Sequence, residues 1–244
     1  MKWIYLSPHL DDAVYSCGGR IREQTRNGDS VEIWTLFTAD PPEGPLTPIA
    51  DLFHMLWQTD RDAFAIRREE DQAACQIIGA IPVHFPFHDI IYRRNPATNE
   101  PLVHSMEEIS SPISAVDQTL LQEIVAEIKS HLPGDAHLAC PLSLGNHRDH
   151  RLTRAAVETL GKPLHYFADY PYAEEIHNLQ EWIKPEWQPE TKPIPEEGIK
   201  AWQAAVAAYA SQLSSFWVTE EEMYAAIAAH AGTLPGHTTW FGHP

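Results

Sequence analysis

Cysteine is scarce in this 244-residue chain, and Cys17, Cys75 and Cys140 are odd in number, set in apolar surroundings and without CxxC spacing. That excludes a disulfide framework and a closed, cysteine-rich structural zinc site, and it predicts reduced core thiols in a cytoplasmic setting. Basic residues are also few. Lys and Arg number 17 against 34 Asp and Glu, a formal charge of −17, so phosphate-rich polymers and anionic membranes would be repelled and nucleic acid is not an expected partner. No apolar run reaches the ~18 residues that a membrane span needs, and Asp11 and Asp12 follow the opening strand too closely for a signal-peptide core. No GxGxxG follows a strand, which argues against a dinucleotide cofactor; Gly18-Gly19 is read as room for close helix packing. No internal repeat appears.

At 43% hydrophobic the chain can bury one substantial core, and a single domain over 1–244 is expected. Trp3 to Leu6 has the aliphatic and aromatic content of a buried strand, and helical spacing follows over Ala13 to Arg26, stopped by Asn27-Gly28-Asp29. Further strands are expected at Val31 to Phe37, Ile81 to Phe87, His137 to Pro141 and Leu164 to Ala168. Between them, helical patterns run over Asp60 to Gly79, capped by Thr59 or Asp60, over Val116 to His131, and from Leu152 to Leu160. Asp40 to Thr47, rich in proline, reads as a loop and flap. Residues 89–114 lack a sustained period and read as an insertion over one edge of the site. Lys184 to Gly198 reads as a surface connection before C-terminal helices at about Ile199 to Ser214 and Glu220 to Ala231, within 199–231. The alternation predicts an α/β, Rossmann-like three-layer sandwich with a mainly parallel sheet and a site at the carboxyl ends of its strands.

Two clusters stand at such strand ends. Ser7-Pro8-His9-Leu10-Asp11-Asp12 follows the first strand, and His147-Arg148-Asp149-His150 follows the fourth after a Gly145-Asn146 turn. Two histidines and a carboxylate from distant segments suit an open catalytic zinc site, which takes three such ligands and leaves a fourth position for water. Capping is the competing reading: Asp11 or Asp12 could cap the first helix, and Asn146 the later one, leaving the histidines solvated. Arg67 could pair with Glu70 or Asp71 on its own helix, and Asp89 could cap its loop. His54, His84, His88, His104 and His237 lack partners at ligand spacing and read as ordinary loop or packed residues. Trp57, Tyr92, Tyr170, Tyr172 and Trp240 could form a platform for a sugar ring, with packing the better reading for most.

On these residues the chain resembles the LmbE-like, or PIG-L, family of zinc-dependent N-deacetylases. The family's His-Pro-Asp-Asp segment is matched by His9-Leu10-Asp11-Asp12, and its His-x-Asp-His segment by His147-Arg148-Asp149-His150. Arg67-x-x-Glu70-x-x-x-Ala74-x-x-x-Ile78-Gly79 and Tyr209-Ala210-Ser211-Gln212 match further, so the resemblance spans most of the chain. Leu10 stands where proline is usual and Ala13 where glutamate is common.

The resemblance implies that His9, Asp12 and His150 hold zinc, with iron(II) also suited to these donors. It implies Asp11 as general base and acid, a protonated His147 stabilising the oxyanion, and Asp149 orienting a histidine, His147 first. Arg67 and Asp89 would bind substrate. The expected activity is removal of an N-acetyl group from an N-acetylglucosamine-type sugar or small conjugate. Its alternatives are a zinc amidohydrolase acting on another N-acylated amine, or a non-catalytic carbohydrate-binding member of the fold. The tryptophans and apolar C-terminal helices are compatible with a homo-oligomer.

Overall fold

The computed structural model describes all 244 residues. In chain order it runs β1 (Lys2–Ser7), α1 (Asp12–Arg26), β2 (Ser30–Thr35), α2 (Pro48–Leu56), α3 (Ala63–Ile78), β3 (Ile81–His84), α4 (Gln118–His131) and β4 (His137–Pro141). It continues with α5 (Arg148–Glu158), β5 (Leu164–Phe167), β6 (Gln188–Thr191), α6 (Glu196–Ala207), α7 (Ala210–Leu213), α8 (Glu220–Ala231), α9 (Leu234–His237) and β7 (Thr238–Gly242). No helix is long and apolar enough to cross a membrane.

The strands form one sheet in the order β3-β2-β1-β4-β5-β7-β6. The first five are parallel, and β7 runs antiparallel to both β5 and β6. Successive strand residues point to opposite faces, so Trp3 and Tyr5 enter a core shared with α1, α3, α6 and α8. Ile4 and Leu6 enter the opposite core, against α4 and α5. Helices therefore cover both faces, as a parallel sheet requires. The chain leaves β1 toward β2 on one side and returns to β4 on the other, which makes β1 and β4 the switch point where a crevice opens at the carboxyl ends.

A third, smaller core joins Leu10 to α2, to Phe64 of α3 and to Ile90, Ile91 and Val103. The 89–114 segment, irregular as expected, is thus pinned down by its own apolar residues. Leu10 explains one departure from the family pattern: fully buried, it packs where proline would offer less apolar surface.

Several elements differ from the sequence expectation. The helix α2 was not anticipated, although its start is signposted: Thr47 accepts from Ala50 N at 3.1 Å and Pro48 occupies the first turn. Helix α3 begins only at Ala63; neither Thr59 nor Asp60 caps it, and its C-terminus closes on Gly79 at φ +80°, a left-handed position suited to glycine. The 184–198 connection contains β6, and Pro189 is tolerated there because β6 is an edge strand. The expected 199–214 helix breaks between α6 and α7 at Tyr209, whose hydroxyl donates to Asp71 Oδ1 at 2.7 Å. All three cysteines are free and buried.

The pairing of α1 with α6 depends on the two glycines read as packing positions. A Cβ on Gly18 would sit 2.3 Å from Cδ1 of Trp202, and one on Gly19 would sit 2.8 Å from the same ring. Trp202 in turn donates from Nε1 to Val14 O at 2.7 Å. Gly18→Val is expected to destabilise the protein by about 3 kcal/mol, the upper end of ordinary overpacking costs, lowering Tm by roughly 6–12 °C for a chain of this size. Gly134→Val, with nothing within 4 Å of the added carbon, should shift the melting curve little. Matching Tm values for the two variants would refute the close-contact account.

Candidate active site

The loop after β1 folds on itself before α1 begins. Ser7 Oγ donates to His9 O at 2.7 Å and accepts from Ala13 N at 3.0 Å, while Asp12 Oδ2 accepts from His9 N at 2.8 Å. Asp11 makes no side-chain cap, so the capping alternative does not hold for it and its carboxylate is free to face the crevice. After β4, Ser143, Gly145 and Asn146 all adopt positive φ, turning the chain sharply into α5. There the N-cap is His147 rather than Asn146: its Nδ1 accepts from Asp149 N at 3.2 Å. Asn146 instead accepts from Arg151 at 2.6 Å.

Because β1 and β4 are paired neighbours, the two loops meet. Asp12 Oδ2 lies 3.1 Å from His9 Nδ1 and 3.3 Å from His150 Nε2. Ring nitrogens of His9, His147 and His150 all lie within 4.8 Å of one another. The far nitrogen of each candidate ligand is also held by carboxylate. His150 Nδ1 is 2.8 Å from Asp169 Oδ1, and His9 Nε2 is 3.4 Å from Asp149 Oδ2 and 3.5 Å from Asp89 Oδ2. Imidazoles backed by carboxylates are the usual outer support of a metal site, so the donor chemistry fits a divalent ion held by His9, Asp12 and His150. Besides the three imidazoles, His9 with Asp89 and Asp149 forms another set of ligand atoms within 4.8 Å of one another. It suits a cation less well, because Asp149 is already paired with Arg93 Nη2 and accepts from Ile90 N at 2.9 Å.

The electrostatics agree with this choice. Burial opposes charge on His150, yet Asp12 and Asp169 outweigh it and lift its pKa to about 9. His9 is raised in the same way against burial, chiefly by Asp89 and Asp12, and Asp12 is held well below the usual carboxylate range by the two imidazoles despite its burial. The spot favours positive charge. Burial pushes the Asp11 carboxyl the other way, up to about 6, with Arg67 pulling against it.

Arg67 reaches across from α3 and donates from Nη2 to Asp11 Oδ2 at 3.2 Å, its guanidinium 4.8 Å from the ring centre of Trp57. It therefore does not pair with its helix neighbours. Glu70 accepts from Ser211 N and Oγ at 2.8 and 2.7 Å, and Asp71 accepts from Tyr209 and faces His84 Nε2 at 2.7 Å. The arginine-helix motif and the Tyr209-Ala210-Ser211-Gln212 motif thus interlock. Asp149 differs from expectation in its partner: its carboxylate faces His9, not His147. The expected imidazolium at His147 is also corrected, since an Nδ1 that accepts from a backbone N–H carries no proton, and burial further disfavours the charged ring. Asp89 caps its loop, Oδ1 accepting from Ile91 N at 3.0 Å, while Oδ2 faces His9 Nε2 at 3.5 Å.

These groups surround a cavity of about 530 Å³ whose lining includes His9, Asp11, Asp12, Arg67, Asp89 and His147. A larger groove of about 760 Å³ beside the 42–45 loop contains none of them. Trp57 and Tyr172 line the cavity, whereas Tyr92, Tyr170 and Trp240 are packed in cores. His54 and His84 pair elsewhere, with Tyr92 and Asp71. Sequence reasoning missed Asp169 and Arg93. Asp169 carries the same signal as Asp89, an acidic residue just beyond a strand; Arg93 lies in an aperiodic segment and carries none.

Comparison with known proteins supplies kinship. Residues 4–160 match the family described as GlcNAc-PI de-N-acetylase, PIG-L. A 2'-N-acetylparomamine deacetylase from Niallia circulans is 25% identical over 237 residues, covering 90% of this chain and 84% of that protein. Teicoplanin deacetylase Orf2, in a zinc-inhibited form, is similar at a TM-score of 0.81 and 26% identity, over 99% of this chain and 97% of its own. The A40926 pseudoaglycone deacetylase Dbv21 follows at 0.72 and 29%, over 97% and 95%. The family match takes in both strand-end clusters and the arginine helix between them, and on that ground the chain belongs to the PIG-L, or LmbE-like, family.

Proposed function

We propose that the protein is a metal-dependent N-deacetylase that hydrolyses the acetamide of an N-acetylglucosamine-type sugar or conjugate, releasing acetate and a free amine. The observation that supports this most is that Asp11 and His147 line the same cavity as His9 and Asp12, so a proton-transfer group and a hydrogen-bond donor flank one reacting centre. Kinship with deacetylases of 2'-N-acetylparomamine and teicoplanin supports the reaction class.

His9, Asp12 and His150 would hold zinc, with iron(II) as the alternative for the same donors. When bound, the ion supplies Lewis acidity at the floor of the cavity. Asp11 takes a proton from the attacking water and hands it to the departing amine. Arg67, stacked on Trp57, keeps that carboxylate turned toward the cavity. With Nδ1 of His147 occupied as an acceptor, its proton sits on Nε2, which donates to the oxyanion formed as the carbonyl is attacked. Asp149 fixes the ring of His9 and Asp169 that of His150. Arg67 and Asp89 offer a donor and an acceptor to the sugar. The same reading takes 1–244 as one working domain and the reduced cytoplasm as its setting, supported by three unpaired buried thiols.

Asp11→Asn should keep the metal content of the wild type and lose about 10²–10⁴-fold in acetate release, the range for removal of a general acid–base group. Near-normal turnover by the fully metallated variant would remove Asp11 from this role. Asp169→Asn should weaken metal affinity about 10–100-fold, read by competition with a chromophoric chelator; unchanged affinity would mean that Asp169 does not position His150.

A further inference from the structure

A groove of about 410 Å³ lies against the 142–146 turn, just before His147 enters the catalytic cavity, and it shares no lining residue with that cavity. Its charge is out of keeping with the molecule. Acidic residues number 34 against 17 basic ones in the chain, whereas the groove is lined by Arg151 and Arg154 and by a single carboxylate, Glu158. Glu158 is already engaged, its Oε1 accepting from Arg154 Nε at 2.9 Å and from the Tyr166 hydroxyl at 3.0 Å. The two arginines stand three positions apart on α5 and so share a face, and both are anchored to the turn. Arg151 Nη2 donates to Asn146 Oδ1 at 2.6 Å, and Arg154 Nη1 donates to Leu142 O at 2.8 Å. These bonds leave Nε and Nη1 of Arg151 and Nη2 of Arg154 without a protein acceptor, and none of the three is buried. Between the two anchors in sequence stands Ser143, 3% exposed and held at φ +63°, which lines the groove and whose hydroxyl has no partner. A buried donor left unmatched is costly and rare. Half-buried Trp182 supplies an aromatic wall.

We propose that this groove is a second binding site, which takes the phosphoryl group of a small phosphate monoester between Arg151 and Arg154 and sets its organic part against Trp182. Donors from two guanidiniums and one hydroxyl match the three terminal oxygens of a phosphoryl group, whereas the two oxygens of a carboxylate are met by a single guanidinium fork. The volume suits a small molecule, and the formal charge of −17 opposes polyanions such as nucleic acid. Ser143, Gly145 and Asn146 all hold positive φ ahead of His147. A phosphoryl group bridging the two arginines that brace this turn would restrain it, so occupancy of the groove is felt by the loop that presents His147.

Calorimetry of the metal-loaded protein with phenyl phosphate, inorganic phosphate and benzoate tests the site without turnover, so its result is independent of the deacetylase reading. Phenyl phosphate should bind one to one, about 2–10-fold tighter than inorganic phosphate through the contact with Trp182, and benzoate more weakly than either. Arg151→Gln should weaken phenyl phosphate by about 10–100-fold, the range for a lost charge-assisted contact, and Arg151→Glu should abolish its binding. Both variants keep Arg154 and its bond to Leu142 O, so the turn retains a brace. Arg26→Gln, on α1 and outside the groove, should bind as the wild type does. Hydrogen exchange at the amides of residues 143–146 should slow with phenyl phosphate in the wild type and not in Arg151→Glu. Binding that persists in Arg151→Glu at wild-type affinity would place the anion elsewhere, the catalytic ion included, and overturn the proposal. Equal affinity for benzoate and phenyl phosphate, or no saturable binding of phenyl phosphate, would overturn it as well.

Discussion

A single carboxylate oxygen, Oδ2 of Asp12, ties this molecule's chemistry together, since imidazoles from two distant loops approach it from either side. A buried carboxylate loses several kcal/mol of hydration and is tolerated only where opposite charge and hydrogen bonds replace the water. Here the replacement comes from His9 N and from ring nitrogens of His9 and His150. That arrangement demands adjacent loops, which the parallel pairing of β1 with β4 provides. The pairing in turn demands apolar side chains on both faces of β1, which Trp3-Ile4-Tyr5-Leu6 supplies.

Around this centre the carboxylates divide their labour by partner. Asp149 and Asp169 are buried against Arg93, Ile90 N and Leu144 N, and each turns one oxygen toward a histidine. Asp11 is backed by an arginine on the cavity wall, and its burial raises its proton affinity. Acids in one pocket, adjacent or nearly so in sequence, thus acquire different proton affinities from their surroundings.

The parts legible in the sequence are those governed by local period. The five parallel strands, α1, α4, α5 and α8 carry clear apolar repeats, and the strand-end positions of His9, Asp12, His147 and His150 follow from them. Other parts depend on long-range partners. Strand β7 acquires its place only by pairing with β5 and β6, and β6 is a proline-bearing edge that no local rule would favour. The break at Tyr209 answers to Asp71 on another helix. The resemblance implied that Asp149 orients a histidine, His147 first, yet with Arg93 on one oxygen its carboxylate turns the other to His9, a partner invisible in local sequence.

One consequence follows from the way the 89–114 segment is moored. Surface loops ordinarily serve as exchangeable parts, free to drift while the catalytic scaffold stays put. Here Ile90 N and Arg93 bind the same Asp149 that faces His9, and Met106 of the same segment stands at the entrance. Evolution of what the protein admits is therefore mechanically linked to how it reacts: a lineage that reshapes this loop must either preserve its grip on Asp149 or retune the histidine behind it.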